Sequence, residues 1–238
     1  MFIGAVGYLY HRLPAAQAQV KRAADATQIR IIDKPIVFDQ ERKDLTLAYR
    51  RQHQDPKATD ITITPKMIIL HYTASTAFEP TWKYFNNLRA EAARTQLANA
   101  GDVNVSAHFL VDRDGTIYRL MPETWMARHC IGLNHVAIGI ENVGDGGKFP
   151  LTDAQAEANA ALVRYLTGQY PAIEYLIGHQ EYRKMEGTPL FLELDPKYRN
   201  QKGDPGADFM NKVRAKVKDL KLKGPPENGK PSVADERR

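Results

Sequence analysis

"KMIILHYTAS", residues 66 to 75, decides the fold. Its apolar run is short, rich in Ile, and bounded by Pro65 and by small polar residues. β-branched side chains suit a pleated, buried surface, so the run reads as a buried strand ending at His71. Two later stretches repeat the pattern. "VAIGIENVG", from residue 136, is an apolar strand with Glu141 at its far end, and "IEYLIGH", from residue 173, finishes on His179.

Helical patterns separate these strands. Pro80 opens one with Trp82, Phe85, Leu88 and Ala92 on one face and Gly101 as its stop. "LTDAQAEANAALVRYLTGQYP" places Thr152 and Gln155 in capping-box spacing, has an Ala/Leu-rich interior, and terminates at Pro171. "ADFMNKVRAKVKDL" reads as an amphipathic C-terminal helix. In "AHFLVDRDGTIYRL", two β-rich runs flank Asp114-Gly115, the strongest short-range hairpin signal of the chain. Strands alternating with helices imply an α/β sheet, whose functional groups gather at strand ends and in the loops that follow.

The segment "QKGDPGADF", residues 201 to 209, reads first as a turn, because Asp, Pro and Gly each favour chain reversal. If the chain there is extended, Lys202 and Asp204 face one common space. Two histidines and one carboxylate around an open fourth position form a common catalytic zinc arrangement, and Asp204 is a candidate for that carboxylate. A lone histidine is by default a satisfied structural residue. The joint placement of His71, Glu141 and His179 at strand ends is what singles them out.

At 238 residues the chain suits one sizeable α/β domain with extensions. A net charge of +5 and a pI near 9.2 favour anionic surfaces, nucleic acid or cell-wall polymer. No long Lys/Arg cluster interleaved with aromatics is present, which points away from nucleic acid. Cys130 is the single cysteine, so neither an internal disulfide nor a Cys-rich zinc site is available. A Cys nucleophile needs a base positioned in space, and the adjacent His129 is only a sequence neighbour. His108, mid-strand, reads as core or as support behind a ligand; His11, His53 and His135 have no assigned role.

"MFIGAVGYLY" is too short to cross a bilayer as a helix. With the small-x-small site Ala16-Gln17-Ala18, residues 1–18 are a candidate signal peptide or membrane-proximal segment, although no Lys or Arg precedes the apolar stretch. The expectation is export to the periplasm or cell envelope, with a cytoplasmic protein as the alternative. Residues 19–60 read as an N-terminal extension holding one strand candidate, "RIIDKPIVF", and a loop, "RRQHQDPKATD". The catalytic domain spans 61–222, and 223–238 read as a disordered tail.

Six blocks in order, "ILHYTAS", "VSAHFLVDRDGTIYRL", "RHCIG", "AIGIENVG", "IGHQEY" and "KGDPGADF", resemble the zinc-dependent N-acetylmuramoyl-L-alanine amidases of the type-2 family, relatives of the peptidoglycan recognition proteins. The resemblance implies a single catalytic domain with a central mixed β-sheet flanked by helices. It implies hydrolysis of the N-acetylmuramic acid to L-alanine amide in peptidoglycan or muropeptides by a zinc-activated water, and peripheral association with the envelope. Carried over by motif, His71, His179 and Asp204 resemble the zinc ligands; Glu141 and Lys202 resemble the catalytic acid/base and the oxyanion-stabilising residue. A non-catalytic peptidoglycan-binding module is the alternative, and a cysteine hydrolase of similar substrates is a third reading.

Three departures stand out. Asp204 follows His179 by 204 − 179 = 25 positions, longer than in the family's recycling enzymes, and "MEGTPLFLELDPKYRN" is expected to form a lobe near the groove. Ala107 stands where some members carry a tyrosine, which shifts the acid/base role to Glu141. The family's Trp-His-Ala-Gly block is "RHCIG" here, so Arg128 replaces Trp, and His129 and Arg128 become candidate substrate contacts.

Overall fold

Residues 29–227 are described by the computed structural model. The apolar start at 1–18 and most of the C-terminal tail lie outside the described residues. The strands among those residues are β1 (Ile31–Asp33), β2 (Met67–Tyr72), β3 (Phe109–Val111), β4 (Ile117–Arg119), β5 (Ala137–Asn142) and β6 (Tyr175–Gly178). The α-helices are α1 (Gln40–His53), α2 (Phe78–Asn86), α3 (Thr95–Asn99), α4 (Asp153–Gln169) and α5 (Ala207–Lys216). No helix among the described residues is long and apolar enough to cross a membrane.

The strands form one mixed sheet in the order β1-β4-β3-β5-β2-β6. Only the β3–β4 hairpin is antiparallel. It turns at Asp114-Gly115 as the sequence requires: Gly115 has φ +88°, and an added Cβ would lie 2.9 Å from the Ala154 carbonyl oxygen. β2 lies between β5 and β6, parallel to both, which explains its unbroken apolar run.

Alternation along the strands sorts side chains into two layers. Ile68 and Leu70 of β2 and Ile138 and Ile140 of β5 pack with Leu162, Val163 and Leu166 of α4 and Phe209, Met210 and Val213 of α5. Met67 and Ile69 face the other way, into a core with Tyr49, Met126, Leu133 and Tyr182. His71 and Glu141 follow that second set, and the β2–β5 ladder pairs them directly.

The capping box of α4 is present as read: Thr152 Oγ1 accepts from the Gln155 amide at 3.1 Å, and Gln155 Oε1 accepts from the Thr152 amide at 2.9 Å. The pattern from Pro80 to Gly101, by contrast, is not one helix. α2 stops at Asn86 because Asn104 Nδ2 bonds the Tyr84 carbonyl at 2.7 Å and the chain then pairs sideways, Asn104 N to Leu88 O and Ala90 N to Asp102 O. Leu88 and Ala92 therefore share no helical face with Trp82 and Phe85.

The segment read as an extension is built into this domain. β1 pairs in parallel with β4 at the sheet edge, and α1 runs on to His53, through the first four residues of the stretch expected to be loop, because Tyr49 and His53 are both buried one turn apart. Pro56 disfavours helix for the residue before it, consistent with the end reached by then. At the other end the domain reaches past 222, since Lys223 N bonds Glu174 O and Leu176 N bonds Lys223 O.

Candidate functional site

Because β2, β5 and β6 are parallel, their C-terminal ends share one edge of the sheet, the usual place for a site. His71 occupies that end of β2, and Glu141 sits across from it on β5. β6 ends at Gly178, leaving His179 as the first residue of a 3-10 turn, His179–Met185. The segment before α5 brings Asp204 alongside, anchored by the bond from Gln180 N to Asp204 O at 2.7 Å.

The three expected ligand atoms converge. His71 Nδ1 and His179 Nδ1 are 2.9 Å apart, and Asp204 Oδ2 is 3.0 Å from His179 Nδ1 and 3.3 Å from His71 Nδ1. These three residues form a group that could hold a metal ion. The charge states of Asp204 and His179 suit that purpose. Burial opposes ionisation of Asp204, yet hydrogen bonds from His179 and His71 hold its carboxyl well below the usual range. Burial, helped by the neighbouring His71, lowers His179 to about 4 and keeps it neutral at neutral pH.

Glu141 is different. Desolvation pushes its carboxyl up to about 7, with Asp204 adding to the rise and His71 and Lys202 opposing it. Its Oε2 is shielded from solvent and has no hydrogen-bond partner among the described residues. Lys202 lines the same cavity of about 390 Å³, together with all three converging residues. The extended run from Lys202 to Asp204 thus turns both side chains toward one space, as the two-residue spacing requires.

Arg128 and His129 are placed less simply. Arg128 is 3% exposed, and its guanidinium donates to the carbonyls of Leu97 at 2.7 Å, Gly101 at 2.9 Å and Val103, and stacks over Tyr49. Those bonds make Arg128 part of the cavity wall, tying α3 and the 101–103 turn to it, with both terminal nitrogens engaged and Nε without a partner among the described residues. His129 Nδ1 lies 3.0 Å from His71 Nε2, and His129 Nε2 lies 3.3 Å from the Ala137 carbonyl. Burial, with His71 and His108 beside it, keeps His129 neutral.

Other residues fall out of contention. Ala107 is fully buried. His108 uses Nε2 on the Trp125 carbonyl and accepts from the Gly139 amide on Nδ1, so it is core. Cys130 is 2% exposed and burial, reinforced by Asp204, pushes its thiol well above its usual value, the reverse of a nucleophile's need. The long spacer before Asp204 supplies Tyr198 and Asn200 to the cavity wall. His53, given no role from sequence, fixes that spacer: its Nδ1 is 2.8 Å from Glu193 Oε1 and its Nε2 2.7 Å from the Ala100 carbonyl. Nothing local in the sequence signals a contact spanning 140 positions.

Residues 62–207 match the family model for N-acetylmuramoyl-L-alanine amidase, a span that holds all five converging residues. The chain belongs to that family. It is 30% identical over 112 residues to an endolysin of Enterobacteria phage T3, covering 45% of this chain and 70% of the endolysin. Among solved structures, the N-acetylmuramoyl-L-alanine amidase LysC from Clostridium intestinale URNW is similar at 23% identity and TM-score 0.53, over 82% of this chain and 100% of LysC. LysCS of the same organism gives 23% and 0.52, over 82% and 97%. Those two likenesses establish the amidase fold, with its mixed sheet and flanking helices.

Proposed function

We propose that this amidase-family chain hydrolyses the amide between the lactyl carbonyl of N-acetylmuramic acid and L-alanine, in peptidoglycan or in muropeptides, with zinc as cofactor. The observation that carries the proposal is the triangle of His71 Nδ1, His179 Nδ1 and Asp204 Oδ2 beside the unpartnered Oε2 of Glu141. Ligand atoms about 2.1 Å from a tetrahedral zinc stand about 3.4 Å from one another. The separations of 2.9, 3.0 and 3.3 Å need only slight widening to fit. Two imidazoles and one carboxylate are also the donor set of a catalytic zinc site with a free position, and a poor one for magnesium or calcium.

Zinc held there supplies Lewis-acid chemistry, acidifying a water and polarising a carbonyl oxygen. The chain's own groups do the rest. Glu141 Oε2 takes a proton from the attacking water and returns it to the L-alanine nitrogen as the C–N bond breaks. The hydroxyl stays on the lactyl carbon, so the products are a free carboxylic acid and a free amine. Lys202 Nζ faces the negative charge that grows on the lactyl oxygen, a contribution of about 3 kcal/mol in comparable sites. Tyr198 and Asn200 line the cavity that would take the sugar and peptide.

An intact-wall substrate would put the working place at the periplasm or envelope, where a net charge of +5 favours contact with an anionic wall, and soluble muropeptides would be met in the cytoplasm as well. The test is digestion of purified sacculi and of soluble muropeptides by zinc-loaded protein, with mass analysis. Free stem peptides beginning in L-alanine and peptide-free glycan are expected. Sacculus binding with no peptide released is the result expected of a binding module and overturns the proposal.

A further inference from the structure

An imidazole that gives one nitrogen to a metal must carry its proton on the other. With His71 Nδ1 in the ligand triangle, its Nε2 bears the proton, and that nitrogen looks at His129 Nδ1 from 3.0 Å. A donor facing a ring nitrogen needs a bare lone pair, so the ring proton of His129 belongs on Nε2. Nε2 in turn faces the Ala137 carbonyl at 3.3 Å, which can only accept. The chain of donors therefore runs one way, from His71 to His129 to a backbone oxygen whose protonation cannot change. Reversing it would set two acceptors against each other at Ala137 and drive a proton onto His71 Nδ1, into the metal's place.

The surroundings of His129 hold that arrangement. Asn134 Oδ1 accepts from the amides of His129 at 2.9 Å and Cys130 at 2.7 Å, fixing the backbone. The ring meets His71 edge-on at 5.1 Å between centroids. It lies over Gly139 of β5, where an added Cβ would come 2.7 Å from the ring's Cγ. Gly139 is thus the gap that lets the imidazole drop onto the sheet beside His71.

Resting on the metal centre proposed above, we infer that His129 is a positioning residue that fixes the tautomer and aim of His71 through its Nδ1. This differs from contact with substrate, and its signature is metal affinity. Zinc dissociation constants of His129→Ala, His129→Asn and the unaltered chain, measured by competition with a chromogenic chelator, test it without any turnover. Removing such support costs about 10- to 100-fold in affinity, and Asn, whose Oδ1 occupies the place of Nδ1 and accepts as it does, is expected to restore most of it. In ¹⁵N spectra of the zinc-loaded unaltered protein, His129 is expected protonated on Nε2, with scalar coupling from its Nδ1 to His71 Nε2. Unchanged affinity in His129→Ala, or His129 protonated on Nδ1, overturns the inference. Failure of the unaltered chain to take up zinc overturns the metal centre as well, whereas zinc uptake without amidase activity leaves the inference standing and removes only the substrate reading.

Discussion

Glu141 stands directly opposite His71 across the β2–β5 ladder, and its neighbours decide its chemistry. Desolvation holds its carboxyl at about 7, so below that pH the group carries a proton and cannot accept another. The rate is therefore expected to fall as pH drops through an acidic limb and to level off above it. Zinc adds a nearby positive charge, which favours the carboxylate and moves the limb below 7. Glu141→Gln keeps the shape and removes the base. Its kcat is expected to fall by about 10²- to 10⁴-fold, with the acidic limb lost and zinc affinity retained. Rate profiles of both proteins on a soluble muropeptide from pH 5 to 9 measure this; an unaltered profile in Glu141→Gln would show that another group moves the proton.

Elements differ in how plainly the sequence announces them. α4 was legible because its signals are local: a capping box at Thr152 and Gln155, an apolar interior, and a proline just past its end. β2, β5 and β6 were legible because strands buried on both faces must be continuously apolar. The break between α2 and α3 was not, since it depends on Asn104 reaching back 20 positions to cap Tyr84, and composition alone still favours a helix through Ala92. The burial of α1 was missed for the same reason: its partners, Ala100 and Glu193, lie far along the chain. The site followed the same division. His71, Glu141 and His179 mark strand ends, and the family's block order added Lys202 and Asp204, but Arg128 as wall and His129 behind His71 required coordinates. The capping box also makes an energetic claim. Thr152→Ala removes the acceptor of the Gln155 amide and is expected to cost about 1 kcal/mol, or about 2–4 °C in Tm for a chain of this size. Thermal melts followed by circular dichroism check it, and an unchanged Tm would show that the bond from Gln155 Nε2 to the Val143 carbonyl, at 2.9 Å, already suffices to hold the first turn.

Across the whole molecule, the site is assembled from segments that share no local structure: the end of β2, the turn after β6, and the stretch before α5, more than a hundred residues apart at the extremes. Such a site exists only in the folded chain, so an ion bound there stabilises the folded state by RT ln(1 + [L]/Kd), about 2.7 kcal/mol at a hundredfold excess over Kd. For a domain of this length that corresponds to a rise of about 5–10 °C in Tm. The polypeptide alone closes the domain by other means, with His53 joining α1 to Glu193 of the spacer and Phe191 lying over Gly132, whose added Cβ would meet that ring at 2.5 Å. Chelation is therefore expected to lower Tm and stop hydrolysis while the chain stays folded at room temperature. Zinc should restore both, with Tm climbing as the logarithm of its concentration. Asp204→Ala deletes one of the three ligand atoms while leaving the sheet and both cores untouched, so its Tm should respond little to either treatment. Scanning fluorimetry across a zinc titration reads all of this directly, and a Tm that ignores zinc in the unaltered chain would mean that these three side chains pack against one another without binding a metal.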